Sequence, residues 1–101
     1  MAIGVSLGQI VYSIAGRDRG RYFVVIDIID ENYVLIADGD LRKIEKPKKK
    51  KLRHIKKTNK IVDEFSIKLK EGKPIRNIEI RDKIGELCMD SRFYGDNKEV
   101  D

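Results

Sequence analysis

Three arginines stand at alternate positions in a short segment bounded by glycine, Ala15-Gly16-Arg17-Asp18-Arg19-Gly20-Arg21. Guanidinium forks suit phosphate oxygens, which they grip through paired hydrogen bonds. Glycine at either end lets the backbone take positive φ and lets another chain come close. The plain alternative is a solvated turn in which Asp18 neutralises part of Arg17 and Arg19. A second basic group follows: Arg42, Lys43, Lys46, Lys48, Lys49, Lys50, Lys51, Arg53, Lys56 and Lys57. In residues 42–60 every acidic position but Glu45 is missing, while the segments on both sides are slightly acidic. The formal charge of +5 on 101 residues therefore arises in one stretch. A field that concentrated attracts polyanions, and lysines set on phosphates release condensed counterions, so such binding weakens steeply with salt. A solvated charge run or a targeting signal is the competing reading.

Little else in the chain suits catalysis. His54 stands alone beside apolar Ile55, and Cys88 falls on an apolar helical stripe, where a thiol packs as a small hydrophobe. Asp27, Asp30 and Glu31 flank a turn with no partner nucleophile and no metal-ligand spacing. One cysteine excludes an intramolecular disulfide and a cysteine-rich zinc site. The expectation is a non-enzyme without cofactor or metal. No apolar run approaches the roughly 18 residues of a membrane span. Met1-Ala2-Ile3-Gly4-Val5 lacks the basic flank of a secretory signal. A cytoplasmic monomer without membrane contact is expected.

The elements that must carry these residues change character along the chain. Gln9–Ile14 is β-rich and stops before Gly16. Residues 21–29 form the strongest strand, rich in β-branched and aromatic residues. Asp30-Glu31-Asn32-Tyr33 reads as a turn with Asn32 tolerant of positive φ, and Tyr33–Ala37 as the returning strand. Asp38-Gly39 is a strong hairpin signal that would deliver Leu41–Glu45 as a further strand. Lys46-Pro47 interrupts, the lysine run follows, and Leu52-Arg53-His54-Ile55 reads as a closing strand or single helical turn. Four or five short strands within 55 residues describe a small bent barrel whose closure hides its edges.

From Lys57 the period becomes helical. Asn59 is placed to cap a helix over Lys60–Glu71, with Ile61, Phe65 and Leu69 on one face and Gly72 as terminator. Ile67 departs from that pattern, since Phe65, Ile67 and Leu69 also alternate as a strand would. Asn77 is placed to cap a second helix, with Glu79 in its first turn and Ile80, Ile84, Leu87 and Cys88 as its stripe. Residues 1–56 are expected to form the barrel with its basic segment, 57–90 a helical hairpin and 91–101 a mobile tail.

The stretch Gly8–Ile36 resembles the KOW motif of ribosomal and transcription-elongation proteins, which has a glycine before its first strand, a basic loop, a glycine at the place of Gly20 and a valine-rich strand. Ala15–Arg21, the Val24-Val25-Ile26-Asp27-Ile28-Ile29-Asp30 strand end and Leu52–Ile55 are similar to the archaeal and eukaryotic large-subunit ribosomal family in which one KOW barrel precedes a basic segment. Small bacterial KOW-domain proteins share the plan. The resemblance implies an SH3-like barrel and RNA binding through the first loop.

Together these readings predict a mainly β fold with C-terminal α, a small SH3-like KOW barrel followed by a basic segment and a helical hairpin. The expected partner is structured RNA, ribosomal in kind, with ribosomal or transcription proteins as further partners. Arg17, Arg19 and Arg21 would clamp RNA backbone, while Lys48–Lys51 and Arg53 would line a neighbouring phosphate track. Neutralising Lys48–Lys51 is then expected to weaken binding and spare the fold. Tyr12, Tyr22, Phe23 and Tyr33 are the aromatics available for stacking, against a default role in the core. The alternative function is a protein-interaction adaptor that offers the stripe of the second helix to a partner.

Overall fold

The computed structural model describes residues 4–88. Five strands, β1 (Gln9–Ser13), β2 (Tyr22–Ile28), β3 (Tyr33–Ala37), β4 (Lys48–Lys51) and β5 (Ile55–Ile61), precede helices α1 (Asp63–Glu71) and α2 (Asn77–Cys88). A 3-10 turn, Leu52–His54, joins β4 to β5. The strands form one antiparallel sheet in the order β4-β3-β2-β1-β5. The mainly β architecture with two C-terminal helices is that of a small SH3-like KOW fold. The expected tail lies outside the described residues.

Alternation along β1 and β2 divides the core between the two faces of the sheet. Val11, Phe23, Val25, Val34, Ile36 and Ile55 form one cluster. Ile10, Tyr22 and Val24 form the other, which the helices complete with Phe65, Ile80 and Cys88. The stripe Ile80, Ile84, Leu87 and Cys88 therefore covers the sheet. It is not held out for a partner helix, so the adaptor reading loses the support of that stripe.

The fourth strand departs from expectation. Leu41–Glu45 forms no strand, because Asp38 turns the chain back on itself. Its Oδ1 accepts the N–H groups of Asp40 (2.9 Å) and Arg42 (2.8 Å), and the Arg42 carbonyl accepts from Asp38 and Gly39. The lysine run is itself the fourth strand, paired Tyr33↔Lys51 through Ile36↔Lys48. Lysine is a poor strand former, but an edge strand forms a ladder on one side only, and edge lysines discourage pairing with other chains. The sheet is not closed either. β4 and β5 are its two outer strands, and their lysines protect edges that closure was expected to hide.

The helical region also starts later than its pattern indicates. Asn59 and Lys60 belong to β5, and α1 begins at Asp63 behind Val62. A side-chain network around the β1–β5 bulge holds this strand. Gln9 Nε2 donates to the Thr58 carbonyl at 2.8 Å, and Thr58 Oγ1 donates to the Ile10 carbonyl at 2.7 Å. Gly72 ends α1 in the left-handed conformation at φ +72°, as expected.

Asn77 does not cap α2 with its side chain. Its Oδ1 accepts the Ile44 N–H at 2.7 Å and its Nδ2 donates to Glu45 Oε1 at 2.9 Å, so it clamps the β3–β4 connection to the helix. Gly39 permits this contact: a Cβ there would collide with the Asn77 carbonyl oxygen and lie 3.0 Å from the Arg81 nitrogen. Asn32 also departs from expectation, since no described residue except glycine has positive φ. Asp30 Oδ1 instead holds that turn by accepting the Asn32 and Tyr33 N–H groups.

Candidate nucleic-acid interface

The first loop, residues 14–21, sits between the lysine strand and the 3-10 turn. On one side Lys50 Nζ donates to the Ala15 carbonyl at 2.7 Å, and on the other the Ile14 N–H donates to the His54 carbonyl at 2.9 Å. Gly16 and Gly20 bound the loop with φ near +87° and +88°, the conformation their residue type allows. The arginine loop and the lysine run, separate in sequence, are thus neighbours in space.

The anchor between them is Asp18. It does not neutralise Arg17 or Arg19; its carboxylate turns inward and is buried. Oδ1 accepts from Ser13 Oγ at 2.7 Å and from Lys50 Nζ at 2.8 Å, and Lys48 Nζ lies 3.1 Å from Oδ2. Burial alone would raise the Asp18 carboxyl, but hydrogen bonds from Lys50 and Ser13, with the Lys48 ammonium beside Oδ2, reverse this and hold it well below the usual carboxylate range. Lys50 is only 5% exposed. Strand alternation explains the arrangement, since Lys48 and Lys50 share the inner face and leave Lys49 and Lys51 on the outer one.

Two of the four lysines expected to line a phosphate track are therefore committed to the fold. Lys50 is closed to solvent, and Lys48 is half-buried against Asp18. Arg21 is also engaged, with its guanidinium 3.3 Å from Asp38 Oδ2 and 3.9 Å from Asp40 Oδ2. Arg17, Arg19, Lys49 and Arg53 are exposed and Lys51 half-buried, and none forms an ion pair among the described residues. Arg42 and Lys43 are exposed on the β3–β4 connection. Lys56 and Lys57 are exposed on β5, the edge opposite β4, where they pair with Tyr12 and Val11. The predicted basic residues thus divide between the loop with its lysine strand and the far edge of the sheet.

The aromatics divide similarly. Phe23 is fully buried and Tyr22 nearly so. Tyr12 packs against Tyr22 with ring centroids 4.9 Å apart. Tyr33 is half-buried on the outer face, with Lys49 Nζ 4.6 Å from its ring centroid. Beside it Asn32, Tyr33, Lys51, Leu52 and Arg53 line a concavity of about 440 Å³. The sequence does not mark Asn32 for this position, because nothing local ties a turn residue to the 3-10 turn; the contact is made by the Leu52 N–H donating to the Asn32 carbonyl at 2.8 Å.

Over 59 residues the chain is 37% identical to large ribosomal subunit protein eL14 of Staphylothermus marinus, covering 58% of this chain and 62% of the relative. Its homologues are eL14 large ribosomal subunit proteins. The eL14 of Pyrobaculum arsenaticum is 37% identical over 59 residues, 57% of its length. That of Desulfurococcus amylolyticus is 34% identical over 68 residues, 67% of this chain and 66% of the relative. The chain thus spans between 57% and 66% of the length of these eL14 proteins. No protein-family model matches the sequence. The eL14 likeness accords with the KOW resemblance of residues 8–55 and with the β-rich fold.

Among the described residues no group of three or more His, Cys, Asp or Glu side chains could hold a metal ion, and no helix is long and apolar enough to cross a membrane. Cys88 is buried in the core, and burial pushes its thiol up to about 11, so it carries negligible thiolate at neutral pH.

Proposed function

We propose that the chain is a non-catalytic RNA-binding protein of the translation machinery that contacts structured ribosomal RNA through the mouth formed by the first loop, β4 and the 3-10 turn. One observation carries the reading: a buried aspartate holds the loop that bears exposed Arg17 and Arg19 against β4, and these arginines, with Lys49 and Lys51 on that strand and Arg53 after it, form no ion pair with a described carboxylate. An exposed cation without an internal partner is available to phosphate, and a rigid loop loses little entropy on binding. The eL14 likeness supports ribosomal RNA, a cytoplasmic location and neighbouring ribosomal proteins as partners. Arg42, Lys43, Lys56 and Lys57 would add to the attracting field from outside the mouth, and Arg21, Lys48 and Lys50 would act by supporting it.

The test is a titration of the full chain with a large-subunit ribosomal RNA fragment at several salt concentrations. With about six phosphates engaged, affinity should fall on the order of 10³ between 50 and 200 mM salt. An affinity that stays flat over that range would overturn the reading.

A further inference from the structure

We propose that the concavity beside Tyr33 is a pocket for one unpaired RNA nucleotide, its base laid against the Tyr33 ring and its phosphate held by Lys51 and Arg53. The inference rests on the RNA-binding reading and deepens it. The hollow, about 440 Å³, is large enough for a nucleotide and is lined by an aromatic residue, an apolar one, two cations and a carboxamide. The Asn32 amide, the Tyr33 hydroxyl, the Lys51 ammonium and the Arg53 guanidinium make no side-chain hydrogen bond or ion pair among the described residues. In the neighbouring loop, by contrast, Asp18 takes up the lysines of the inner face.

Charge balance argues for a nucleotide rather than a bare phosphate. The segments that supply the hollow carry Lys49, Lys51 and Arg53 from β4 and the 3-10 turn and Asp30 and Glu31 from the turn before β3, where Asp30 is committed to backbone N–H groups. The local excess is a single positive charge, too little for an anion site that works by attraction alone. What the hollow adds is an aromatic surface for stacking, made more polar by Lys49 at 4.6 Å, and an amide able to pair with a base edge. Paired RNA hides its bases in the stack, so only an unpaired residue would fit.

The experiment follows backbone amide signals of the 15N-labelled full chain during titration with two RNAs, a stem-loop with four unpaired uridines and the fully paired duplex of the same stem. Both should move the amides of residues 16–21; only the stem-loop should move Asn32, Tyr33, Leu52 and Arg53. Tyr33→Leu should cut stem-loop affinity roughly tenfold and leave duplex affinity unchanged, while Tyr33→Phe, which keeps the ring, should stay close to the parent protein. Uridine monophosphate alone, at the same concentrations, should leave the pocket amides unmoved. A stem-loop that moves the loop amides but not the pocket would overturn the pocket and leave the RNA reading standing. Equal loss of both RNAs in Tyr33→Leu, or equal binding of the free nucleotide, would also overturn it. Failure of both RNAs to bind would remove the RNA reading and the pocket together.

Discussion

Asp18 shows how one residue can reverse the meaning of its neighbours. Among three arginines it reads as a partial neutraliser, yet it turns away from them and binds Ser13, Lys48 and Lys50. Removing one member of a buried ion pair leaves the other desolvated and unmatched. Asp18→Asn should therefore cost about 3 kcal/mol at neutral pH, measured by denaturant unfolding. The folded carboxyl titrates below its unfolded value, so the stabilisation is fully present above the ordinary carboxylate range. It is lost as pH falls below about 4 toward the folded value. Stability of the parent protein should decline through that window, and the Asp18→Asn variant should decline less steeply.

At the scale of elements, the turn after β3 and the N-terminus of α2 fix each other. Asp38 folds residues 38–42 into a compact turn, Asn77 grips Ile44 and Glu45, and Gly39 lies where the helix backbone passes. Gly39→Ala places a methyl group against helix backbone that cannot swing aside, at φ +77° where an L side chain is already strained. The expected loss is at least about 2 kcal/mol, read as a lower unfolding midpoint. Gly72→Ala makes a useful comparison. Its φ is similar, but no atom lies within 4 Å of the added Cβ, so it should show the conformational penalty without the collision.

For the whole molecule, the proposed function gives the basic surplus two purposes. The inner lysines hold the loop, and the outer cations would be left for RNA. Neutralising Lys48–Lys51 would therefore not spare the fold, because Lys48 and Lys50 are the partners of buried Asp18. The two purposes separate by substitution. Arg17→Gln with Arg19→Gln should reduce the salt slope of RNA affinity by nearly two and leave thermal stability unchanged. Lys48→Gln with Lys50→Gln should lower stability, which thermal unfolding reports directly. A salt slope unaffected by the arginine pair would move phosphate contact away from the loop.

Much of the plan was readable along the chain. β2 and β3 declare themselves through dense β-branched and aromatic residues, α2 through the spacing of Ile80, Ile84, Leu87 and Cys88, and the end of α1 through Gly72. These are local signals, set by side-chain periodicity and by which residue tolerates positive φ. The placement of positive charge in residues 42–60, and hence an attraction to polyanions, is likewise a property of the sequence alone. Four consecutive lysines carry no periodicity, however, so nothing local marks them as a strand; pairing with β3 does. Which lysines face Asp18 and which face solvent follows from that register, and only the folded sheet fixes it. The same holds for the hollow beside Tyr33, whose walls come from the ends of two strands that meet only when the sheet forms.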